Sequence, residues 1–283
     1  MQNSAMSAGD HHEGGSRMRI TLATDPSNGM LVRHALAGFA ESVGVDPIKL
    51  NDLTTALSEA FTNASVHAYP DAPGPVCVEF AAAPAYTLLT VRDWGGGVAP
   101  GSLDGGRFPM DVDSTLCGLG VPTIRALASA SSWESPAGGG TVVTMRFDAS
   151  GEPDLGGDWP AVEMEPAPPV EPDSIALSLF PASLACGALP RLARVCGARS
   201  GFSVDRDALM QRVIAMIVDV PPVTPQEVNS TVRFARDELT LAVWPFDLTA
   251  SADLSERTRG FAPKVSVRGE ESDECPGRLL ARF

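Results

Sequence analysis

Long apolar runs are missing from this sequence of 283 residues. None approaches the ~18 uninterrupted apolar residues that a membrane-spanning helix requires, and the opening MQNSAMSAGDHHEGGSR has no apolar stretch of the secretory kind. A membrane span and a secreted destination are therefore not expected; a cytoplasmic protein is. Basic residues are also short: 21 Lys and Arg face 35 Asp and Glu, a formal charge of −14, and no Lys occurs between Lys49 and Lys264. Such a balance opposes attraction to a phosphate backbone. No basic patch offsets it, so direct nucleic-acid binding is not expected. Cys77, Cys117, Cys186, Cys196 and Cys275 are odd in number and form no CxxC, and only four histidines could join them on a metal. That leaves reduced, mostly buried thiols rather than a disulfide framework or a zinc site.

What remains is a globular composition, 44% hydrophobic and 20% charged, in a chain long enough for about two domains. Residues 1–16 read as a disordered tail, in which His11 and His12 are solvated. Residues 17–148 read as a first domain. Residues 149–173 read as an extended linker: from Gly151 to Asp173 there are seven acids, six prolines and no basic residue. The remainder, 174–283, reads as a second domain with balanced charge.

In the first domain, RITLATD reads as a strand. Leu31, Val32, Ala35, Leu36, Phe39 and Val43 recur at helical spacing, and Gly44 is the stop. A second helix begins with Asp46 as cap and Pro47 at the first helical position, and carries a stripe of Leu50, Leu53, Leu57 and Phe61. The runs VCVEFAA and TLLTVRD read as two strands. A Gly-rich stretch follows, then a helix from Gly120 to Ala130 and the strand TVVTMRF. Helices cluster instead of alternating singly with strands, so the fold class expected is α+β, a sandwich in preference to a doubly wound parallel sheet.

Four clusters carry potential chemistry. Glu59, Asn63 and His67 are spaced to stack along one side of the second helix. A carboxylate, an amide and an imidazole so placed suit a hard cation and a proton transfer, but they also suit a solvated face. Asp93 ends a strand before Trp94 and three glycines, Gly95 to Gly97, which allow a sharp turn or a close approach to a ligand. Gly118, Leu119 and Gly120 directly precede a helix, where free amides favour a phosphate. Thr141 starts a strand after a glycine triplet, and alone is an ordinary β-former.

The order of all four is more specific than any one. LSEAFTNASVHAY (57–69), DWGGG (93–97), CGLGVPTIRALA (117–128) and GGGTVVTMRF (138–147) together resemble the Bergerat-fold ATP-binding domain of gyrase-type topoisomerases and histidine kinases, which implies a mixed sheet covered by helices on one face. Within that superfamily the sequence looks most like the bacterial anti-sigma-factor serine/threonine kinases. The resemblance implies ATP and Mg²⁺, with Asn63 holding the ion and Glu59 accepting the proton of an incoming serine hydroxyl. It implies that Asp93, helped through water by Thr141, accepts from the adenine amino group, that Gly95 and Gly97 pack against the base, and that Gly118, Leu119 and Gly120 lend amides to the phosphates. His67 is read as structural. The partners implied are a sigma factor and an anti-sigma-factor antagonist that is the phosphate acceptor, with partner exchange as the switch and a homodimer or an intrachain pseudo-dimer as the assembly.

Two departures qualify this. Cys117 stands where the family often has glycine, and the lid from Gly97 to Leu116 contains Asp111 and Asp113, which repel phosphate; affinity is expected to be modest. A nucleotide-sensing binding regulator without kinase activity is the alternative. The ATPase half of a histidine kinase is disfavoured, because no phosphoacceptor helix precedes Arg17.

The second domain echoes the first. VDRDALMQRVIAMIVDVPP (204–222) follows the rhythm of residues 45–64, and RFARDELTLAVWPFD (233–247) that of residues 79–95. Aligned this way, Glu59 falls opposite Val218, Asn63 opposite Pro222 and Asp93 opposite Pro245. A degenerate copy without ATP chemistry and a chance match of amphipathic segments both account for this rhythm.

Overall fold

The computed structural model describes residues 15–97, 120–136, 139–149, 165–220, 227–261, 265–270 and 277–283. The N-terminal tail through residue 14, the lid stretch with Cys117, Gly118 and Leu119, most of the acidic linker, and Cys275 lie outside them.

The first half runs β1 (Ser16–Ala23), a 3-10 turn (Pro26–Asn28), α1 (Gly29–Ser42), α2 (Pro47–Asn63), a π-helical turn (Ala64–Ala68), β2 (Pro75–Ala82), β3 (Tyr86–Asp93), α3 (Gly120–Leu127), β4 (Ala130–Glu134) and β5 (Thr141–Asp148). Local chemistry sets the helix boundaries. The Asp46 carboxylate accepts the Ile48 amide at 2.8 Å with Pro47 at the first helical position. Gly44, at φ +73°, turns the chain after α1. α3 stops at Leu127, short of the Ala130 read from sequence, because Ala130–Glu134 pairs with β5 as an additional strand.

The second half runs β6 (Ser174–Phe180), a 3-10 turn (Ala182–Leu184), α4 (Ala185–Arg199), α5 (Val204–Val218), β7 (Val228–Ala235), β8 (Glu238–Trp244), α6 (Leu248–Thr258), β9 (Ser266–Glu270) and β10 (Arg278–Arg282). All ten strands form one sheet in the order β4-β5-β3-β2-β1-β6-β7-β8-β10-β9, with β1 and β6 paired at its middle. The expected mixed sheet is antiparallel at every pairing among the described residues. β3 and β4, joined through α3, do run the same way, but β5 inserts between them and opposes both.

The helices bury one face of this sheet. Met18, Ile20 and Leu22 of β1 pack beneath Leu31, Ala35 and Phe39 of α1, all at most 1% exposed. The other face carries charge, with Arg19 Nε donating to Glu79 Oε1 at 2.5 Å. Burial of this kind is worth roughly 25 cal/mol per Å² of apolar surface, and the same cluster continues without a break into the second half.

The two halves repeat one register. Met18, Ile20 and Leu22 in β1 correspond to Ile175, Leu177 and Leu179 in β6, and Phe39 in α1 corresponds to Cys196 in α4. At the same interval Gly44 meets Gly201, both at positive φ (73° and 80°). The helix caps Asp46 and Ser203 coincide as well. No insertion or deletion separates the halves from Met18 to Asn63 against Ile175 to Val220. This register places Glu59 opposite Met216 and Asn63 opposite Val220, two residues earlier than the sequence comparison did.

At the seam α1 crosses α4 so closely that a Cβ on Gly38 would lie 2.7 Å from the Gly187 carbonyl oxygen. Arg191 pairs with Glu41. Arg199 donates to Asn28 Oδ1 at 2.6 Å and to Ser27 Oγ at 2.9 Å, reaching from α4 to the turn before α1.

Candidate functional site

The predicted residues gather at the end of the sheet where β3 finishes and β5 begins. α2 places Glu59 and Asn63 one helical turn apart, both half-buried. The first residue of α3, Gly120, comes against them: a Cβ there would sit 3.1 Å from Glu59 Oε2 and 3.2 Å from both Asn63 amide atoms. The start of α3 therefore comes against a carboxylate and a carboxamide. Only a residue without a side chain leaves those groups undisturbed.

Beyond Asn63, α2 continues as the π-helical turn and ends at Ala68 against the loop that follows β3. The Gly96 amide donates to the Ala68 carbonyl at 3.2 Å, and a Cβ on Gly95 would lie 2.0 Å from that same oxygen. Glycine at 95 is thus fixed by backbone approach. Gly140, at φ +85°, donates its amide to the Gly95 carbonyl at 2.8 Å. Gly97, at φ +73°, lies alongside Gly140.

Asp93, 5% exposed, sits under this loop. Its Oδ1 accepts the Gly95 amide at 2.9 Å and the Thr141 amide at 3.2 Å, and the Thr141 hydroxyl bonds the carboxylate directly. Burial pushes its pKa above the ordinary aspartate value, and the three donors pull the other way. The sequence reading connected Thr141 to this site through water; here it touches Asp93 itself.

Glu59, Asn63 and Gly120 thus form one cluster, and Asp93, Gly95, Gly97 and Thr141 a second, joined by the α2 rod. His67 lies exposed on the π-helical turn. Gly118 and Leu119 fall outside the described residues.

One participant was not singled out from sequence. The Tyr69 hydroxyl accepts the Trp94 amide at 2.8 Å and donates to the Pro75 carbonyl at 2.7 Å, tying the end of the π-helical turn to β2 and the loop after β3. Burial raises its pKa to about 12. Its position at the end of the HAY triplet, as one of only two tyrosines in the sequence, was the available signal. On the outer face the Trp94 indole donates to the Glu165 carbonyl at 2.8 Å, so the described end of the linker is fastened to this same loop.

The arrangement offers a buried acceptor for an exocyclic amino group at one end and a helix N-terminus beside a carboxylate and an amide at the other. Among the described residues no helix is long and apolar enough to cross a membrane, and no group of three or more His, Cys, Asp or Glu could hold a metal alone. The family model of the histidine kinase-like ATPase domain matches residues 9–147. The α+β sandwich over those residues is consistent with a Bergerat-type ATPase domain. No curated protein matches the chain.

Proposed function

We infer, from a histidine kinase-like ATPase domain that retains both the buried aspartate and the helix-borne Glu59–Asn63 pair, that this protein is an ATP- and Mg²⁺-dependent serine/threonine kinase of the anti-sigma-factor type. It phosphorylates a serine on an anti-sigma-factor antagonist and otherwise holds a sigma factor inactive. The observation that carries the reading is the convergence of Glu59 and Asn63 on Gly120 at the start of α3.

Each residue has a chemical role in it. The Asp93 carboxylate accepts from the adenine amino group, and burial keeps water from competing. The α3 N-terminus provides backbone donors for phosphate oxygens. The donor set fits Mg²⁺, which prefers oxygen ligands and retains water: Asn63 would hold it through its amide oxygen, beside the phosphates. Bound there, the ion would neutralise phosphate charge. Glu59 takes the proton from the serine hydroxyl as its oxygen bonds to the γ-phosphorus and the bond to the ADP oxygen breaks.

The test is incubation of the full chain with radiolabelled ATP, Mg²⁺ and antagonist proteins. Glu59→Ala should bind ATP yet transfer no label, and Asn63→Ala should lose both. Undiminished transfer by Glu59→Ala would remove the general-base role. Saturable ATP binding with no label on any antagonist would leave a nucleotide-sensing regulator in place of a kinase.

A further inference from the structure

We propose that residues 174–283 are a copy of the first half that has lost its nucleotide site and stands, within one chain, where a second subunit would stand. The protein is then a monomeric pseudo-dimer with one nucleotide site per chain. The loss of a site concerns the nucleotide reading above; the pseudo-dimer geometry stands on the fold alone.

Element order is the first support. Strand, 3-10 turn, two helices, hairpin, helix and two strands occur twice. The unbroken register from Met18 to Asn63 against Ile175 to Val220 is stricter, since it keeps core positions, the positive-φ glycine and the helix cap in step. The ladders extend it into the second part of each half. Val76 pairs with Leu22 and Val228 with Leu179, which makes Val76 and Val228 counterparts. Asp93 lies opposite Val76, and the residue in that place beside Val228 is Pro245. Val91 pairs with Val143 and Val243 with Leu279, so two residues earlier Thr141 has Gly277 as counterpart.

Four site positions with a counterpart have changed chemistry. Glu59 becomes Met216, Asn63 becomes Val220, Asp93 becomes Pro245 and Thr141 becomes Gly277. At these four positions neither a carboxylate nor a carboxamide remains. The space beside Val220, Pro245 and Phe246 is a cavity of about 350 Å³ whose lining includes Asp219 as its one carboxylate and no basic residue. An apolar cavity with a single carboxylate repels a polyphosphate.

The halves meet as two subunits would. β1 and β6 pair antiparallel at the middle of the sheet, α1 and α4 cross above them at Gly38 and Gly187, and the core is continuous through the seam. The β1 edge and the α1 flank are thereby occupied by the chain's own second half. A second molecule has no access to them.

The experiment uses the full chain, with equilibrium ATP binding in Mg²⁺ and light scattering on the same sample. One nucleotide per chain, monomer mass at micromolar concentration, and loss of all binding in both Asp93→Asn and Asn63→Ala are expected. Two nucleotides per chain, or saturable binding surviving in both variants, would show a working second site and overturn the loss. A stable dimer mass would overturn the pseudo-dimer. Absence of any binding in the wild type would defeat the nucleotide reading instead, and the mass would still decide the seam.

Discussion

Thr141 donates its backbone amide to the Asp93 carboxylate from directly across the β3–β5 ladder, at 3.2 Å. The acceptor proposed for the nucleotide is therefore set by strand register, while burial raises its pKa.

That shift gives a pH prediction. The folded chain holds the Asp93 proton more tightly than the unfolded chain does. This carboxyl's contribution to stability is thus fully present below the ordinary aspartate value and is lost as pH rises through the raised one. Asp93→Asn cannot titrate, so its stability should change less with pH across that window, and the variant should gain on the wild type above it. Chemical denaturation at a series of acidic pH values checks this; parallel profiles would contradict it. ATP binding should be lost at all of them.

Adjacent glycines in the loop should behave differently. Gly95→Ala forces a Cβ to 2.0 Å from the Ala68 carbonyl oxygen and should destabilise the protein by about 1–3 kcal/mol, the usual range for overpacking. Gly96→Ala has no neighbour within 4 Å and should stay within about 0.5 kcal/mol of wild type. Urea denaturation of the two variants gives the comparison.

Gly120→Ala tests the convergence on α3. Its Cβ would press on the Glu59 carboxylate and the Asn63 amide, both at flexible side-chain ends. The fold should survive with little change in Tm, while ATP binding weakens about tenfold, equivalent to ~1.4 kcal/mol. Calorimetric titration measures it, and unaltered affinity would separate Gly120 from the nucleotide.

Arg199 tests the seam between the halves. Arg199→Ala removes two hydrogen bonds and leaves the buried Asn28 short of a donor, at a cost of about 1.5–3 kcal/mol for bonds to a charged group. Arg199→Lys should recover little of this, because an ammonium cannot donate as a planar fork to two acceptors. Both should still unfold in one cooperative transition in urea.

Much of the first half was legible in the sequence because its signals are local. The Asp46-Pro47 start, the Leu53–Leu57–Phe61 stripe and the Gly44 stop each act within a few residues. The same holds for Glu59 and Asn63, whose shared side follows from helical spacing. β4 was missed because Ala130–Glu134 shows no apolar alternation; all five of its residues are half-buried. Tyr69 was missed because its role comes from partners at Trp94 and Pro75, which only the fold brings together. α4 was obscured by Pro190 and its glycines, poor helix formers that tertiary packing overrides. The second-half register slipped by two residues because amphipathic rhythm leaves that freedom, which strand pairing removes.

The single sheet has a further consequence for how the chain behaves when crowded. Among the described residues only β4 and β9 of the ten strands have one neighbour, and each is five residues long. Glu134 closes the first, and Arg268 interrupts the second. Short, charged margins are poor templates for stray strand addition, so enlarging the sheet has not enlarged the surface on which aggregates could start.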